Sequence, residues 1–550
     1  MAEPFGSCEA ARYGCRDQVF AASQGKSGPD PPRRDAYDGS VRAARDCVLT
    51  QRRTDATRRA PCLDTATVDE PSAMKPSHNQ RRARVAVAGA SGFVGWPLVH
   101  ALAQSHSVVA LARETDRREA IAGVEWRVCD LFNLREAEGA LAGADVAVYL
   151  IQSMMPPAHL TQGTFGDLDL ICADNFARAA ARSGIRHIVQ LGCLLPSSDD
   201  RPLPRYFESR LEIERTLRSH GIPLTTLRAG PIIGPGGLVF ESLVKLGRLP
   251  ILIGPSWTRS RSRSIALADA VALLEFALER PDLAGRAYDI GGPDVTSYVE
   301  MLRITGQALG KSLHIATLPI RATKLSLLCI SAMLGAPVPV VRPLVEGSRR
   351  DLCATDGLVL QKQAALAPRP LRDAIAEAIQ GESILARRGR VVPWPREGST
   401  GGGVCSVQRL RIRAERSAAW VAEEYVRWLP RFFRQLVRAS VDEARTIRFH
   451  LWPVRRPLLI LTFANDRSSP DRQLFFVTGG LLSRQPRGAR ARLEFRAVLD
   501  GTFVLAVILD FYPRLPWLIY KVTQARLHLF VMRAFARHLV DGGLSTLQAR

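Results

Sequence analysis

The chain has 550 residues, 46% hydrophobic and 23% charged, which suits about three to four domain-sized units with well-filled cores. Its formal net charge is +22. The excess is arginine spread along the chain, with no basic block carrying interleaved aromatics, so nucleic acid is set aside as a partner and weak attraction to anionic membrane surfaces stays open.

The ten cysteines form no CxxC pair and no Cys/His spacing typical of zinc, so no metal is expected and the thiols read as free in a reducing cytoplasm. Residues 1–80 are rich in Arg, Asp, Ser, Ala and Pro and lack hydrophobic periodicity. They read as a disordered tail or as an over-extended start ahead of Met74. No charged start with an apolar core and cleavage site is read there.

From Arg84 onward strands alternate with helices. "RVAVAGA", "SVVALAR", "VEWRVCD" and "ADVAVYLI" are four short apolar strands; a helix over about Asp169–Ser183 stops at Gly184, a natural C-terminal cap. "RHIVQLG" and "PLTTLRAG" are two more strands, separated by a helix containing "YFESR" that ends at Gly221. The pattern argues an α/β unit over 81–380, a doubly wound parallel sheet covered on both faces. The longest apolar run, Leu325–Val341, is broken by Gly335, Pro337 and Pro339 and does not span a membrane.

Residues 381–403 combine proline, glycine and charge and read as a linker. Residues 404–550 then read as a second unit: a long helix near Glu415–Ala439, the strands "TIRFHLWP", "PLLILTFA", "RQLFFVTGGLL", "ARLEFRAVL" and "TFVLAVILDF", and a last helix near Pro516–Val540. That order suggests an α+β domain with an antiparallel sheet.

The chemistry starts at "VAGASGFVG". Gly89, Gly92 and Gly95 follow a strand and open a helix, where a tight turn, close backbone approach and the free N–H groups of the helix suit a pyrophosphate. Gly89, Ser91, Gly92, Phe93, Val94 and Gly95 are the expected cofactor contacts. The second strand ends in Arg113 rather than a carboxylate, which suits a 2′-phosphate and so NADP, with NAD as the alternative.

"GASGFVG", "LRAGPIIGPGG" and "AYDIGGPDVTSYVEML" carry a resemblance. Arg84 to about Gln380 resembles the short-chain dehydrogenase/reductase superfamily in its extended, epimerase-like and atypical branches. The resemblance implies a Rossmann sheet, an adenine contact at Asp130, and Gly230, Pro231 and Ile232 at the nicotinamide end. It also implies a substrate pocket from later segments, including the one near Asp269.

It further implies a catalytic tyrosine followed four residues on by lysine, and a serine or threonine ending the fifth strand. Here Tyr206 is the expected acid, Arg210 replaces the lysine and Cys193 stands near the hydroxyl position, with Ser197 or Ser198 as substitutes. Arg210 would hold the nicotinamide ribose, but a permanently charged guanidinium does not relay a proton. The alternative for Arg210 is a structural tie to a carboxylate or to carbonyls.

The second unit is similar, more loosely, to START-related helix-grip domains, through its element order, "LEFR" and "PRLPWLIY". Trp517, Tyr520, Gln524, Leu527, Val531 and Phe535 form a stripe that reads as core packing or as one wall of an apolar cavity with Gln524 and His528 as polar handles. The expectation is a cytoplasmic NADP-dependent oxidoreductase acting on a hydrophobic small molecule, with Tyr206, Arg210 and Cys193 as the reactive group. Two alternatives stand beside it: a non-catalytic dinucleotide-binding redox sensor or scaffold, and a lipid- or quinone-handling protein at the membrane surface.

Overall fold

A computed structural model describes residues 82–541, apart from 115–119, 153–157, 197–201, 319–326, 329, 333–337, 388–402, 414 and 487–489. The expected tail (1–80), Ser197, Ser198 and most of the expected linker therefore lie outside the described residues. The first residues of that linker are helical, since a helix runs over Leu371–Arg387.

Short runs of small and β-branched residues form the first sheet. In chain order the elements are β1 (Arg84–Ala88), α1 (Gly95–Ser105), β2 (Ser107–Ala112), β3 (Val124–Val128), α2 (Leu134–Leu141), β4 (Val146–Tyr149), β5 (Leu160–Gln162), α3 (Phe165–Arg182), β6 (Ile188–Cys193), α4 (Arg205–Arg218) and β7 (Leu224–Ala229). The sheet runs β3-β2-β1-β4-β6-β7 and ends on a seventh strand, Ala287–Ile290, with every pairing parallel. Strand order reverses between β1 and β4, the place where doubly wound sheets open a crevice at their carboxyl edge.

Both faces are covered. α1 and the helix Leu267–Leu278 pack on one side, and α2, α3 and α4 on the other. α3 starts a turn earlier than expected because Thr164 caps it: the hydroxyl accepts from Asp167 N–H at 3.2 Å and donates to the Asp167 carboxylate at 2.6 Å. Gly184, at φ +72°, takes the left-handed turn that ends it.

The second sheet is antiparallel, in the order Val437–Val441, Ile447–Leu451, Pro457–Phe463, Arg472–Gly479, Arg492–Val498, Phe503–Pro513, Val404–Arg411. Its last neighbour is β5, which pairs in parallel with Val404–Ser406. One strand of the second sheet thus comes from the first half of the chain. Side chains alternate as a pleated strand requires: Cys405, Val407, Leu505, Val507 and Leu509 share a core with α3, whereas Val404, Phe495, Val504 and Ala506 pack under the helices Ala418–Phe432 and Gln524–Asp541. The α2–α4 layer therefore lies between two sheets, and Asn79–Arg550 is one compact unit.

Two expected helices are corrected. The helix read to Ala439 stops at Phe432; Arg434 and Gln435 take φ of +48° and +64°, Gln435 N–H closes onto Pro430 C=O at 2.8 Å, and Val437–Val441, with a valine at each end, becomes a strand. The last helix is two, Trp517–Val522 and Gln524–Asp541, because Thr523 leaves helical geometry at φ −114°, ψ −86°.

Candidate functional site

The expected cofactor residues meet at the carboxyl edge of the parallel sheet. Gly89, at φ +89°, turns the chain out of β1, and Gly92 N–H closes the turn onto Gly89 C=O at 2.9 Å. A Cβ on Gly95 would lie 2.0 Å from Gly89 O, so only glycine fits where α1 leaves the loop. No acidic residue and no capping side chain occupies the first turn of α1, which leaves its positive end open to an anion. Phe93 lies against Gly237, where a Cβ would come within 2.7 Å of the ring, so "IIGPGG" closes over the glycine loop.

Arg113 is exposed at the end of β2. Asp130 follows β3 and lies within electrostatic reach of Arg113. It accepts a hydrogen bond from Phe132 N–H at 3.2 Å, and its own N–H donates to Glu136 Oε2 at 2.9 Å. Burial pushes its carboxyl above the ordinary range, only partly offset by Arg113 and Arg492.

At the other end, β6 and α4 bring Cys193, Tyr206 and Arg210 together. Cys193 and Tyr206 pack in one small cluster around Leu194 and Phe207, close enough for the thiol and the phenol to act on each other's ionisation. Burial raises both: the thiol to about 11, and the phenol above its usual value despite the Arg210 charge. Burial therefore favours the neutral thiol and phenol at this place. Arg210 lies 5.6 Å from the Tyr206 ring and pairs with Asp169 of α3, whose side chain is fully buried. Its Nε–H is buried without a partner. Gly347, ending the helix Val338–Gly347, sits over the Tyr206 ring.

These features fit a dinucleotide: a cradle that a Cβ would fill, an open helix end and an orphaned guanidinium N–H. Residues 89–236 match the family described as NAD(P)H-binding. This part of the chain is an NAD(P)H-binding domain of Rossmann type. Over 144 residues it is 28% identical to the auxiliary protein GraX of Staphylococcus aureus, a match that covers 26% of this chain and 43% of that protein. Over 293 residues the chain is 27% identical to the (4-alkanoyl-5-oxo-2,5-dihydrofuran-3-yl)methyl phosphate reductase of Streptomyces griseus, covering 52% of this chain and 94% of the reductase. The NADPH-dependent quinone oxidoreductase of Escherichia coli, solved with NADPH, superposes with a TM-score of 0.44 at 18% identity, over 54% of this chain and 99% of that one.

Asp169 was not among the expected residues, although its helix offers a signal. "GDLDLICADN" places three carboxylates on an otherwise apolar helix, and buried acids demand cations. Each has one. Asp169 meets Arg210; Asp167 meets Arg409 at 2.6 Å; Asp174 meets Arg496 and Arg178, each at 2.7 Å. Arg409 and Arg496 come from the second sheet. Arg409 also grips Glu212 of α4 at 2.7 and 2.8 Å, so one guanidinium ties together the two helices that carry Asp169 and Arg210.

Outside the NAD(P)H-binding domain, the expected stripe is mostly core. The Phe535 ring lies 5.1 Å from those of Tyr425 and Trp428, edge-on to the first and tilted to the second, while Leu527 is exposed. His528 Nε2 bonds Ser406 Oγ at 3.1 Å, and burial lowers its pKa to about 4. Asp269 is a fully buried tie that accepts from Arg369 N–H at 2.7 Å.

Proposed function

We propose that the protein is an NADP(H)-dependent reductase of apolar molecules carrying a carbonyl-conjugated double bond. The observation that carries this reading is the Cys193–Tyr206–Arg210–Asp169 group beside a glycine cradle at the sheet's carboxyl edge. Bound NADPH supplies hydride; the chain supplies position and a proton. Tyr206 holds a proton at Oη and would pass it to the acceptor oxygen. Cys193 orients the phenol, and Asp169 fixes the Arg210 guanidinium so that its free Nε–H is available to a ribose hydroxyl.

A phenol whose pKa is raised is a weak acid. It suits an acceptor whose charge is already spread into a carbonyl better than an isolated ketone. The reductase of Streptomyces griseus supports the conjugated-carbonyl part of this reading, since it is named for the methyl phosphate of an alkanoyl-bearing oxo-dihydrofuran. A helix-grip role for residues 404–550 is a further proposal, supported by an open pocket between the helix Ala418–Phe432 and the sheet, lined by Val426, Val441, Ile447 and Phe475 together with the charged Glu423, Arg427 and Arg445.

The test is NADPH oxidation with conjugated enones against matched saturated ketones. Faster turnover of the enones is the expected result; binding of NADPH without turnover of either would favour a non-catalytic redox sensor. Arg113 decides the cofactor. Arg113→Ala should weaken NADP binding by about 1.5–3 kcal/mol, the worth of a charge-assisted hydrogen bond, and leave NAD nearly unchanged. Calorimetry giving equal affinities in the parent protein would remove that role.

A further inference from the structure

One end of the second sheet gathers turns that are remote in sequence. Ile447–Leu451 turns into Pro457–Phe463 through Trp452–Arg456, and Trp452 N–H bonds Leu436 C=O at 2.9 Å beyond the helix Ala418–Phe432. Leu481 N–H bonds Pro457 C=O at 3.0 Å and Arg514 N–H bonds Leu482 C=O at 3.1 Å, which brings in the exit toward the helix Trp517–Val522. Phe530 joins through its ring contact with Phe432 at 5.9 Å.

The surface of this end has an unusual composition. Trp452 is 60% exposed, Leu518 78% and Phe530 54%, and Leu436, Ile519 and Val522 are exposed beside them. Between them stand Arg434, Arg455, Arg456, Lys521 and Arg526, all exposed, and none is paired with a carboxylate among the described residues. Residues 432–438, 451–458, 479–486 and 512–530 contain no Asp or Glu.

Scattered exposed leucines are ordinary. A cluster of tryptophan, leucine, isoleucine and phenylalanine, interleaved only with cations, is not. It matches the two demands of a bilayer interface: apolar tips for the acyl boundary, and cations for anionic headgroups. Tryptophan is the residue type enriched at that boundary. No helix among the described residues is long and apolar enough to cross a membrane, so contact here would be peripheral.

We propose that this end of the second sheet is a docking surface for an anionic lipid bilayer, with Leu518, Ile519 and Trp452 entering the acyl boundary and the arginines and Lys521 lying at the headgroups. The surface is separate from the NAD(P)H site and does not depend on the reaction proposed there.

The test is sedimentation of the full chain with phosphatidylcholine vesicles, with and without phosphatidylglycerol. The expected result is binding to the anionic vesicles alone, weakened by salt. Each cation near such a surface is worth roughly fivefold in partitioning, so Arg455→Glu with Arg456→Glu should lower binding by more than tenfold. Leu518→Ser with Ile519→Ser should lower it by about tenfold or more at constant ionic strength, with the melting temperature and NADPH binding unchanged because both side chains face solvent. Absence of binding by the parent would overturn the proposal. So would full binding by the Leu518/Ile519 variant, because charge attraction to any polyanion, nucleic acid included, would then account for it.

Discussion

Arg496→Ala should lower the unfolding free energy by about 3–5 kcal/mol, the usual consequence of removing one partner from a buried ion pair. Arg496 is fully buried, 2.7 Å from Asp174, 2.6 Å from Asn175 Oδ1 and in contact with Glu494. Without it, two buried carboxylates lose a shared cation; Arg472 at 2.8 Å and Arg178 at 2.7 Å remain as partial substitutes. Urea unfolding at neutral pH reads the loss, and a change under about 1 kcal/mol, the worth of an exposed pair, would contradict it.

Acid should act on the same network. Burial alone would raise the Asp174 and Glu494 carboxyls, but Arg496, together with His220 and Arg178 for Asp174 and Arg472 for Glu494, holds both below the ordinary carboxylate range. A depressed folded-state pKa stabilises above the unfolded value of about 4 and loses that contribution as pH falls through the folded one. The parent should therefore lose stability on acidification, and the gap between parent and Arg496→Ala should narrow.

Tyr206→Phe should reduce kcat by about 10²–10⁴-fold, the range of a general acid, with cofactor affinity almost unchanged. Tyr206 packs with Cys193 and its ring faces Gly347, while the dinucleotide cradle belongs to Gly89–Gly95. Stopped-flow NADPH oxidation separates the two quantities. Undiminished turnover would remove Tyr206 as proton donor, leaving solvent or Cys193 in that role.

What the residue order announced and what it concealed divide along one physical line. The glycine loop and six parallel strands were legible because each is local: a run of apolar residues, a turn that only glycine accepts, a helix entered at once. The tyrosine and cysteine could be aligned for the same reason, one ending a strand and the other opening a helix. Asp169 was legible only as a buried acid needing a cation, because its partner lies 41 residues on and is chosen by helix packing. The strand Leu160–Gln162 was not legible at all. Three residues without alternation carry no periodic signal, and their partners, Val404–Ser406, lie in the other half of the chain. The overrun at Phe432 and the break at Thr523 have the same origin, since helical periodicity persists past the point where tertiary contacts pull the backbone away.

The shared helical layer also sets an order of maturation. As the chain leaves the ribosome, Asp167 and Asp174 emerge long before the second-sheet arginines they pair with; 242 residues separate Asp167 from Arg409 and 322 separate Asp174 from Arg496, while Arg178 is at hand for Asp174 from the start. Until then α3 carries acids that want water on the face the second sheet will cover, and closing contacts over such separations is slow. A chain released before Val404 would keep α3 solvent-facing, and limited proteolysis should cut it there while sparing the full-length protein. The Arg409 tie between the two helices that carry Asp169 and Arg210 is then made only when synthesis is nearly complete.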